Sequence, residues 1–297
     1  MDTYQELLKP EIVREISGLS LMSRVIVDSY LQGLNKSRHL GVGMEFSQYR
    51  GYEAGDDLRL LDWKMLARSG RYYIKQSEIE SQISVKFIMD ASASMGHSEH
   101  KITKMDFLRI MVASISYLAY DQGDDVGLFA LNQHELRAVY PRAVKKDFNR
   151  LLHELIAIDN RGKWPESSDS FNQIHSHHRK EIVFFITDMH QHTCELQEFA
   201  KALKTDRNEV AVLQIIGEQE MEFEYKGTLT FEDMETGEKV KITAKEAKAQ
   251  YLKDLKKSIK DNEDFFLGNG IDYQLFKMNE PLTETLKLYL KKRIKLA

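Results

Sequence analysis

The chain has 297 residues, of which 42% are hydrophobic and 30% are charged, and its formal net charge is −4. This length predicts one or two domains with a sizeable core. The small net charge gives no general attraction to nucleic acid or anionic lipid, and no apolar run is long enough to cross a bilayer. Cys194 is the only cysteine, which excludes an internal disulfide. Because the first residues also lack the pattern of a signal peptide, we expect a cytoplasmic protein.

The N-terminal part of the chain differs in composition from the rest. Residues 1 to about 35 favour helices, because apolar residues recur there on one helical face. Residues 41–80 are rich in Gly, Tyr, Arg and Asp and predict short strands and turns. The arginines and aspartates around Trp63 predict either an ion-pair network with an aromatic anchor or a docking face for a carboxylate-bearing partner. We therefore predict an N-terminal unit over residues 1–80 and a main domain over residues 81–297.

The first strand of the main domain ends in a group of oxygen-bearing side chains. The run Val85–Met89 is typical of a strand covered on both faces, and Asp90, Ser92 and Ser94 follow at alternate positions. Three oxygen ligands so placed can converge on one hard cation. The alternative is an N-cap cluster for the next helix. We expect Asp90 to face solvent at the strand end, so that Asp90→Ala removes the metal and leaves the fold.

A buried helix and the remaining strands follow. A capping box over Thr103–Asp106 predicts the start of the helix, and Gly123 predicts its end. The acids Asp124 and Asp125, directly after that glycine, are expected to form a solvated turn. The whole pattern predicts an α/β fold, a doubly wound and mostly parallel six-stranded sheet with N-terminal helices and a small accessory β module. Its strands are predicted at about 83–90, 125–131, 136–140, 182–187, 209–215 and 271–277.

The accessory β module includes an insertion late in the chain. Residues 221–242 alternate like a hairpin that turns at Glu235–Glu238, and a charged helix is predicted at about 244–261. Hairpin and helix together form a predicted insertion at about 219–262. We expect the hairpin to pack with the short strands of residues 41–80.

A second acid supports the metal hypothesis. Asp188 follows the apolar strand Ile182–Thr187. In a doubly wound sheet, ligands bind at the carboxyl ends of the strands where the strand order reverses. We therefore expect the strand before Asp188 to lie beside the strand that ends in Asp90, and the two acids with Ser92 and Ser94 to bind magnesium or manganese.

These residues carry a resemblance to a known family. Their pattern resembles the metal-ion-dependent adhesion site of von Willebrand factor A-type domains, with the ligand positions filled by Asp90, Ser92, Ser94 and Asp188. The upstream segments that resemble bacterial domain-of-unknown-function family fifty-eight are Gly41–Phe46, Tyr52–Arg59, Asp62–Trp63 and Ala67–Gly70. The resemblance implies a von Willebrand factor A-like, Rossmann-type fold and a non-enzymatic protein-interaction module with weakly bound Mg²⁺ or Mn²⁺. It also implies a partner, because such proteins are commonly encoded beside MoxR-type AAA+ ATPases and look like their adaptors in assembling or activating other proteins.

One ligand of that site departs from the family pattern. The family has a threonine between the second and fourth strands, in a loop that often reads Gly-Gly-Thr, whereas residues 160–170 contain none. Ser168 or Ser170 can supply the hydroxyl, and we include Ser168 among the predicted metal ligands. The alternative is a vestigial site in which Asp90 and Asp188 only cap helices or hold loops.

Other functional classes fit the sequence less well. A haloacid-dehalogenase-type hydrolase or phosphotransferase also places an aspartate at a strand end, but it needs an acid two residues later, where this chain has Ser92. The histidine groups at 175–178 and 190–192 lack zinc-motif spacing, although His190 and His192 are expected at the rim of the metal crevice. The glycines of residues 41–55 do not join a strand to a helix, so we predict no nucleotide loop.

Overall fold

The computed structural model describes residues 9–37, 48–52, 61, 63–76, 83–142, 147–165, 174, 180–190 and 194–296. The strands in these ranges are β1 Gln48–Gly51, β2 Tyr73–Gln76, β3 Ser84–Asp90, β4 Ser98–Glu99, β5 Ile102–Thr103, β6 Asp125–Leu131, β7 Leu136–Arg142, β8 Glu181–Thr187, β9 Asn208–Ile216, β10 Thr228–Glu232, β11 Lys239–Thr243 and β12 Asp272–Lys277. The helices are α1 Pro10–Val13, α2 Ile16–Ser37, α3 Trp63–Ser69, α4 Lys104–Asp121, α5 Asp147–Ile156, α6 Glu195–Leu203, α7 Glu218–Glu222, α8 Ala244–Gly268 and α9 Thr283–Leu296.

The chain divides into two compact units. The smaller comprises residues 31–81, and the larger comprises residues 1–30 together with 82–297. In the smaller unit β1 and β2 pair antiparallel, and the rings of Tyr52 and Tyr72 lie 6.1 Å apart. The hairpin of β10 and β11 belongs to the larger unit, and its packing with the short strands of residues 41–80 stays a prediction.

The predicted six-stranded, mostly parallel sheet is confirmed in the described part of the larger unit. Its order is β12-β9-β8-β3-β6-β7. Neighbouring strands run parallel except β6 and β7, which pair antiparallel. The first and fourth strands of the sheet along the chain, β3 and β8, are therefore adjacent, and the strand order reverses between them. This is where a doubly wound sheet places its ligands.

The sheet is buried on both faces, as its continuous apolar strands predict. Ile88, Val183 and Phe185 belong to one core cluster, in which Trp164 also lies. Alternation along the strands sends Phe87 and Phe184 to the opposite face, where their rings stack with centroids 5.6 Å apart. The strand ends are therefore held by packing from both sides of the sheet.

The helix after the candidate metal loop begins as predicted. The Asp106 amide donates to Thr103 Oγ1 at 2.9 Å, and the Thr103 amide donates to Asp106 Oδ2 at 3.3 Å, which completes the capping box. Asp106 also accepts from Arg14 and Arg109 at 2.9 and 2.8 Å. Gly123 follows the helix with a φ of 78°, the left-handed conformation that suits glycine at a helix end. The start of α4 is thus fixed within a few residues of the candidate site.

The acids after this helix are not in a solvated turn. Asp124 and Asp125 are both buried, and Asp124 Oδ2 accepts from the Tyr289 hydroxyl at 2.6 Å and from Arg293 Nε at 2.9 Å. Both partners lie on α9, far along the chain. The expectation is wrong because a short acidic run after a helix looks solvated unless its distant partners are known.

The outer strand β7 departs from a regular ladder. Its register with β6 shifts between Val126 and Leu128, as in a β-bulge. A Cβ at Gly127 would meet Cγ of Pro141 at 2.7 Å. Glycine at position 127 therefore lets the proline ring lie against β6.

Candidate functional site at the strand ends

Asp90 and Asp188 lie at the carboxyl ends of adjacent parallel strands. Asp90 is the last residue of β3, and Asp188 directly follows β8. Asp90 is 1% exposed and Asp188 is 2% exposed. The expectation of a solvent-facing Asp90 is wrong, because the loops that follow both strands cover the sheet end.

The loop after β3 directs its polar groups back toward Asp90. Asp90 Oδ1 accepts from the Ser92 amide at 2.9 Å, and Oδ2 accepts from the Thr187 hydroxyl at 2.7 Å. The Ser92 and Ser94 hydroxyl oxygens lie 3.0 Å apart. Burial, followed by the charge of Asp188, raises the pKa of Asp90 to about 7. In the described hydrogen bonds, the donors to the Asp90 carboxylate are therefore neutral groups, the Ser92 amide and the Thr187 hydroxyl.

Lys104, the first residue of α4, was not predicted as part of the site. Its buried ammonium donates to Asp188 Oδ2 at 3.1 Å and to Glu220 Oε1 at 2.8 Å. Burial opposes ionisation of Asp188, yet Lys104 and then His190 lower the pKa of that carboxyl. A lysine in the first turn opposes the helix dipole. That local conflict is the sequence signal that predicts an acidic partner for Lys104.

His190 lies beside Asp188, where the sequence predicted it. Its amide donates to Asp188 Oδ1 at 3.2 Å, and its Nε2 is 3.1 Å from Glu220 Oε1. Asp188, before Glu220, raises the pKa of the His190 imidazole. His192 lies outside the described residues. Asp188 is therefore held by Lys104 and the His190 amide, whereas Asp90 is not held by a cationic side chain in the described contacts.

The loop before Ser168 runs along the Asp-x-Ser-x-Ser loop. The Arg161 amide donates to the Ala91 carbonyl at 3.1 Å, and the Ala93 amide donates to the Gly162 carbonyl at 2.9 Å. Asn160 Nδ2 donates to the Ser92 carbonyl at 3.3 Å. Residues 160–162, the described start of the segment in which the family has its threonine, thus lie against this loop. Ser168 and Ser170 themselves lie outside the described residues, so the assignment of Ser168 as a ligand stays a prediction.

A glutamate from the distant hairpin also reaches the site. Glu235, in the turn between β10 and β11, is half-buried and lines one cavity of about 640 Å³ together with Ser94 and Lys104. Burial and the charge of Asp188 raise the pKa of Glu235. The sequence predicted the turn correctly but gave Glu235 no functional role, since nothing local distinguishes it from an exposed turn glutamate.

The donor set fits a hard divalent cation. It consists of carboxylates at positions 90 and 188 and two hydroxyls 3.0 Å apart, which are the oxygen ligands that Mg²⁺ and Mn²⁺ prefer. The raised pKa of Asp90 marks excess buried negative charge, which a divalent cation would neutralise. Asp90, Ser92, Ser94 and Asp188 are therefore the residues of this chain that would hold the ion.

A second group of possible ligands fits a metal less well. In the described part of the chain, three side chains each place one possible ligand atom within 4.8 Å of the other two: His97, Glu99 and Glu220. However, the Glu99 carboxylate accepts from the amides of Glu218 and Gln219 at 2.7 and 3.0 Å. Glu220 also binds Lys104, as Asp188 does, so what sets this group apart from the strand-end acids is the pair of helix-start amides that hold Glu99.

The smaller unit gives less information about function. Trp63, expected as an aromatic anchor, is 63% exposed, and Arg68 and Arg71 are exposed as well. Arg59, Asp56, Asp57 and Asp62 lie outside the described residues. The choice between an ion-pair network with an aromatic anchor and a docking face therefore stays open.

Strand order and strand-end acids define the larger unit as a von Willebrand factor A-like α/β domain. The family model described as "Protein of unknown function DUF58" matches residues 48–262, and the chain belongs to this family. The uncharacterized protein Rv1480 of Mycobacterium tuberculosis is 22% identical over 233 residues, which span 77% of this chain and 72% of the relative. An uncharacterized protein of Mycobacterium bovis, Mb1516, gives the same values.

Solved structures with similar folds have low TM-scores. The conserved hypothetical protein BatB from Bacteroides thetaiotaomicron has a TM-score of 0.45 at 14% identity and covers 72% of this chain and 99% of its own. A von Willebrand factor type A protein from Catenulispora acidiphila has a TM-score of 0.39 at 13% identity, covering 73% of this chain and 43% of its own. Similarities at this level carry no conclusion about function. No helix in the described ranges is both long and apolar enough to span a membrane.

Proposed function

We propose that this chain is a non-enzymatic protein-interaction module that uses a divalent cation, Mg²⁺ or Mn²⁺, at Asp90, Ser92, Ser94 and Asp188. One observation carries the proposal: adjacent strands bring two buried acids together with two hydroxyls 3.0 Å apart. When bound, the cation supplies an open coordination position for a carboxylate of a partner. The residues of the chain fix the donor atoms and exclude water around them.

The residue two positions after Asp90 favours an interaction site over a phosphotransferase. The position two residues later carries Ser92, whose hydroxyl is within hydrogen-bond distance of Ser94 and cannot act as a carboxylic acid. The haloacid-dehalogenase alternative is therefore not favoured by a specific contact.

The class of partner is part of the proposal and is supported by the family resemblance. The resemblance described above associates such chains with MoxR-type AAA+ ATPases, and we propose that this chain works as an adaptor of such an ATPase or binds its client in assembly or activation of other proteins. A single carboxylate on a metal is a modest contact, so the surrounding surface must supply most of the interface.

Calorimetry with manganese and the full chain tests the metal part of this proposal. We expect weak binding, roughly millimolar, because the site has few charged ligands and an open position. Asp90→Asn should abolish it, and Asp261→Asn, which changes an exposed acid on α8, should not. Equal binding by wild type and Asp90→Asn would contradict the assignment.

The partner requires a separate experiment. The purified chain is mixed with the MoxR-type ATPase of the same source, in magnesium and in chelator, and complex formation is followed by analytical ultracentrifugation. We expect a complex that chelator and Asp188→Ala both weaken. If neither treatment changes the complex, the adaptor role stands and the metal takes no part in its mechanism. If no complex forms, the proposed class of partner is refuted.

A further inference from the structure

The cavity that Glu235 lines extends from the candidate metal site to the hairpin of β10 and β11. Ser94 and Trp164 of the loops at the strand ends line it, together with Phe231 of β10 and Tyr251 of α8. Its volume of about 640 Å³ falls among pockets that hold small ligands, roughly 300–1,000 Å³. The cavity can therefore take a side chain of a partner beside the metal site.

Four aromatic rings contribute one wall of this cavity. The Phe223 ring is their centre, with its centroid 5.1 Å from that of Tyr225 and 4.7 Å from that of Tyr251. The Phe231 ring lies 6.0 Å from Phe223. Phe223 is buried, whereas the other three residues are only half-buried. Aromatic surface is thus left for an occupant of the cavity to contact.

The apolar part of the wall is open to solvent where the hairpin contributes to it. Met234 is 48% exposed and Val240 is 59% exposed, and both line the cavity. Exposed apolar surface that is bounded by polar side chains marks interaction sites on soluble domains. An occupant that covers this wall would therefore remove apolar surface from water.

Acidic side chains that line the cavity outnumber the basic ones. Six carboxylates line it: Glu195, Glu220, Glu232, Asp233, Glu235 and Glu238. The possible cations among the described lining residues are Lys104, Lys163, His97 and His190, so the carboxylates are in excess even when both histidines are protonated. This excess favours an occupant with a positive charge.

Pairing within the walls leaves much of this negative charge uncompensated. Lys104 already binds Asp188 as well as Glu220. Glu232 is 3.1 Å from Lys239, but the two side chains are 56% and 60% exposed, where an ion pair contributes little. The described donors to Asp233 Oδ1 are neutral amides of the hairpin turn. The charge of the cavity therefore stays available to a cationic occupant.

We propose that this cavity binds an arginine side chain of a protein partner. A guanidinium is planar, stacks on aromatic faces and pairs with carboxylates, so it contacts both kinds of wall at once. A lysine ammonium is compact and more strongly hydrated, and it suits the aromatic wall less well. The inference rests on the proposed function, because the arginine belongs to the partner whose carboxylate reaches the metal. The partner is then recognised by an acidic and a basic residue that lie close together on its surface.

A titration of the full-length chain with a capped arginine tests the cavity itself. The chain is labelled with carbon-13 at the methionine methyl groups, the probe is Nα-acetyl-arginine methylamide, and chelator is present throughout. Met234, which lines the cavity and is assigned through Met234→Leu, should show a saturable shift with a dissociation constant on the order of millimolar. The citrulline analogue of the probe has nearly the same shape and no charge. It should bind at least about threefold more weakly, because neither the acids nor the aromatic faces attract it electrostatically.

Matched substitutions inside and outside the wall locate the binding. Phe231→Leu keeps an apolar side chain and removes the ring, so it should weaken arginine binding about threefold. Tyr251→Leu on α8 should do the same without altering the hairpin. The control Tyr140→Leu removes an exposed ring on β7 and should leave binding unchanged. Glu238→Gln should weaken binding, whereas Asp261→Asn should not.

The partner complex is the second readout. In the ultracentrifugation experiment described above, Phe231→Leu should weaken the complex at least about threefold, and Tyr140→Leu should not. A complex that keeps its affinity in Phe231→Leu and Tyr251→Leu would overturn the inference. So would binding of agmatine at least about tenfold tighter than that of the capped arginine, because the occupant would then be a free small cation.

The remaining outcomes separate this inference from the proposed function. Equal binding of the arginine and citrulline probes, or manganese binding without arginine binding, would overturn the inference and leave the metal site intact. Arginine binding that Phe231→Leu weakens, in a chain that binds no manganese, would support the cavity and refute the metal part of the proposed function.

Discussion

Asp90→Asn should stabilise the metal-free protein at neutral pH although it removes a residue from the candidate site. The unfolded chain ionises Asp90 at its ordinary pKa of about 4, whereas burial and Asp188 raise the folded pKa to about 7. Between these values the folded protein binds the extra proton. Stability from this group is therefore fully present below pH 4 and is lost as the pH rises through 7.

The size of the effect follows from the two pKa values. A rise from about 4 to about 7 corresponds to roughly 4 kcal/mol of lost stability at pH 8. Asparagine does not titrate, so the stability of Asp90→Asn relative to wild type should increase by up to about 4 kcal/mol between pH 4 and 8. All other titrating groups contribute equally to the pH dependence of the unfolding free energy in the two proteins, so their contributions cancel in this difference.

Urea denaturation in chelator, followed by circular dichroism from pH 4.5 to 8.5, measures the difference, with Asp261→Asn as a control for loss of an exposed acid. Adding 10 mM magnesium at pH 8 should then stabilise wild type and Asp261→Asn, but not Asp90→Asn, by about 1.4 kcal/mol for a dissociation constant of about 1 mM. A stability difference that stays constant with pH would refute the reasoning, because Asp90 would then ionise normally in the folded chain.

Three further substitutions test the packing around the site by urea denaturation. Lys104→Met should cost about 3–5 kcal/mol, because it leaves the buried Asp188 and the half-buried Glu220 without their ammonium. The exposed control Lys101→Met should change stability by no more than about 0.5 kcal/mol, and equal effects would contradict the buried role of Lys104. Asp106→Asn should cost about 2–3 kcal/mol through its charged hydrogen bonds, whereas Arg14→Ala should cost less than about 1 kcal/mol because its side chain is 54% exposed. Trp164→Ala should cost about 3–5 kcal/mol through the cavity left in the core cluster, and a smaller loss would show that this loop is not part of the core.

The sequence predicted the sheet and the meeting of Asp90 with Asp188 because the relevant signals are local. Continuous apolar runs predicted the strands, and the reversal of strand order placed two strand ends side by side. The capping box at Thr103 and the turn at Gly123 were likewise predicted from a few neighbouring residues. Periodicity and turn chemistry are properties of short segments, so one sequence is sufficient to detect them.

The charged contacts of the site could not be predicted in the same way. Lys104 binds Glu220, and Glu235 lines one cavity with Ser94, across large separations in sequence. The position of Lys104 in the first helical turn indicates an acidic partner without saying which, and the two glutamates look like ordinary solvated charges in their own segments. Only the packing of the hairpin and α7 onto the strand ends shows that their charges are partly or fully removed from water.

The outer strand β7 affects how this domain behaves among other chains. An exposed sheet edge offers unpaired backbone groups, which can add strands from neighbouring molecules and begin aggregation. Pro141 lies on that strand and has no amide to donate, and the bulge opposite it bends the ladder. Gly127 permits this arrangement, since any Cβ there would collide with the proline ring. The pair of Gly127 and Pro141 thus makes this edge a poor template for strand addition, a safeguard for a domain whose other faces are proposed to bind proteins.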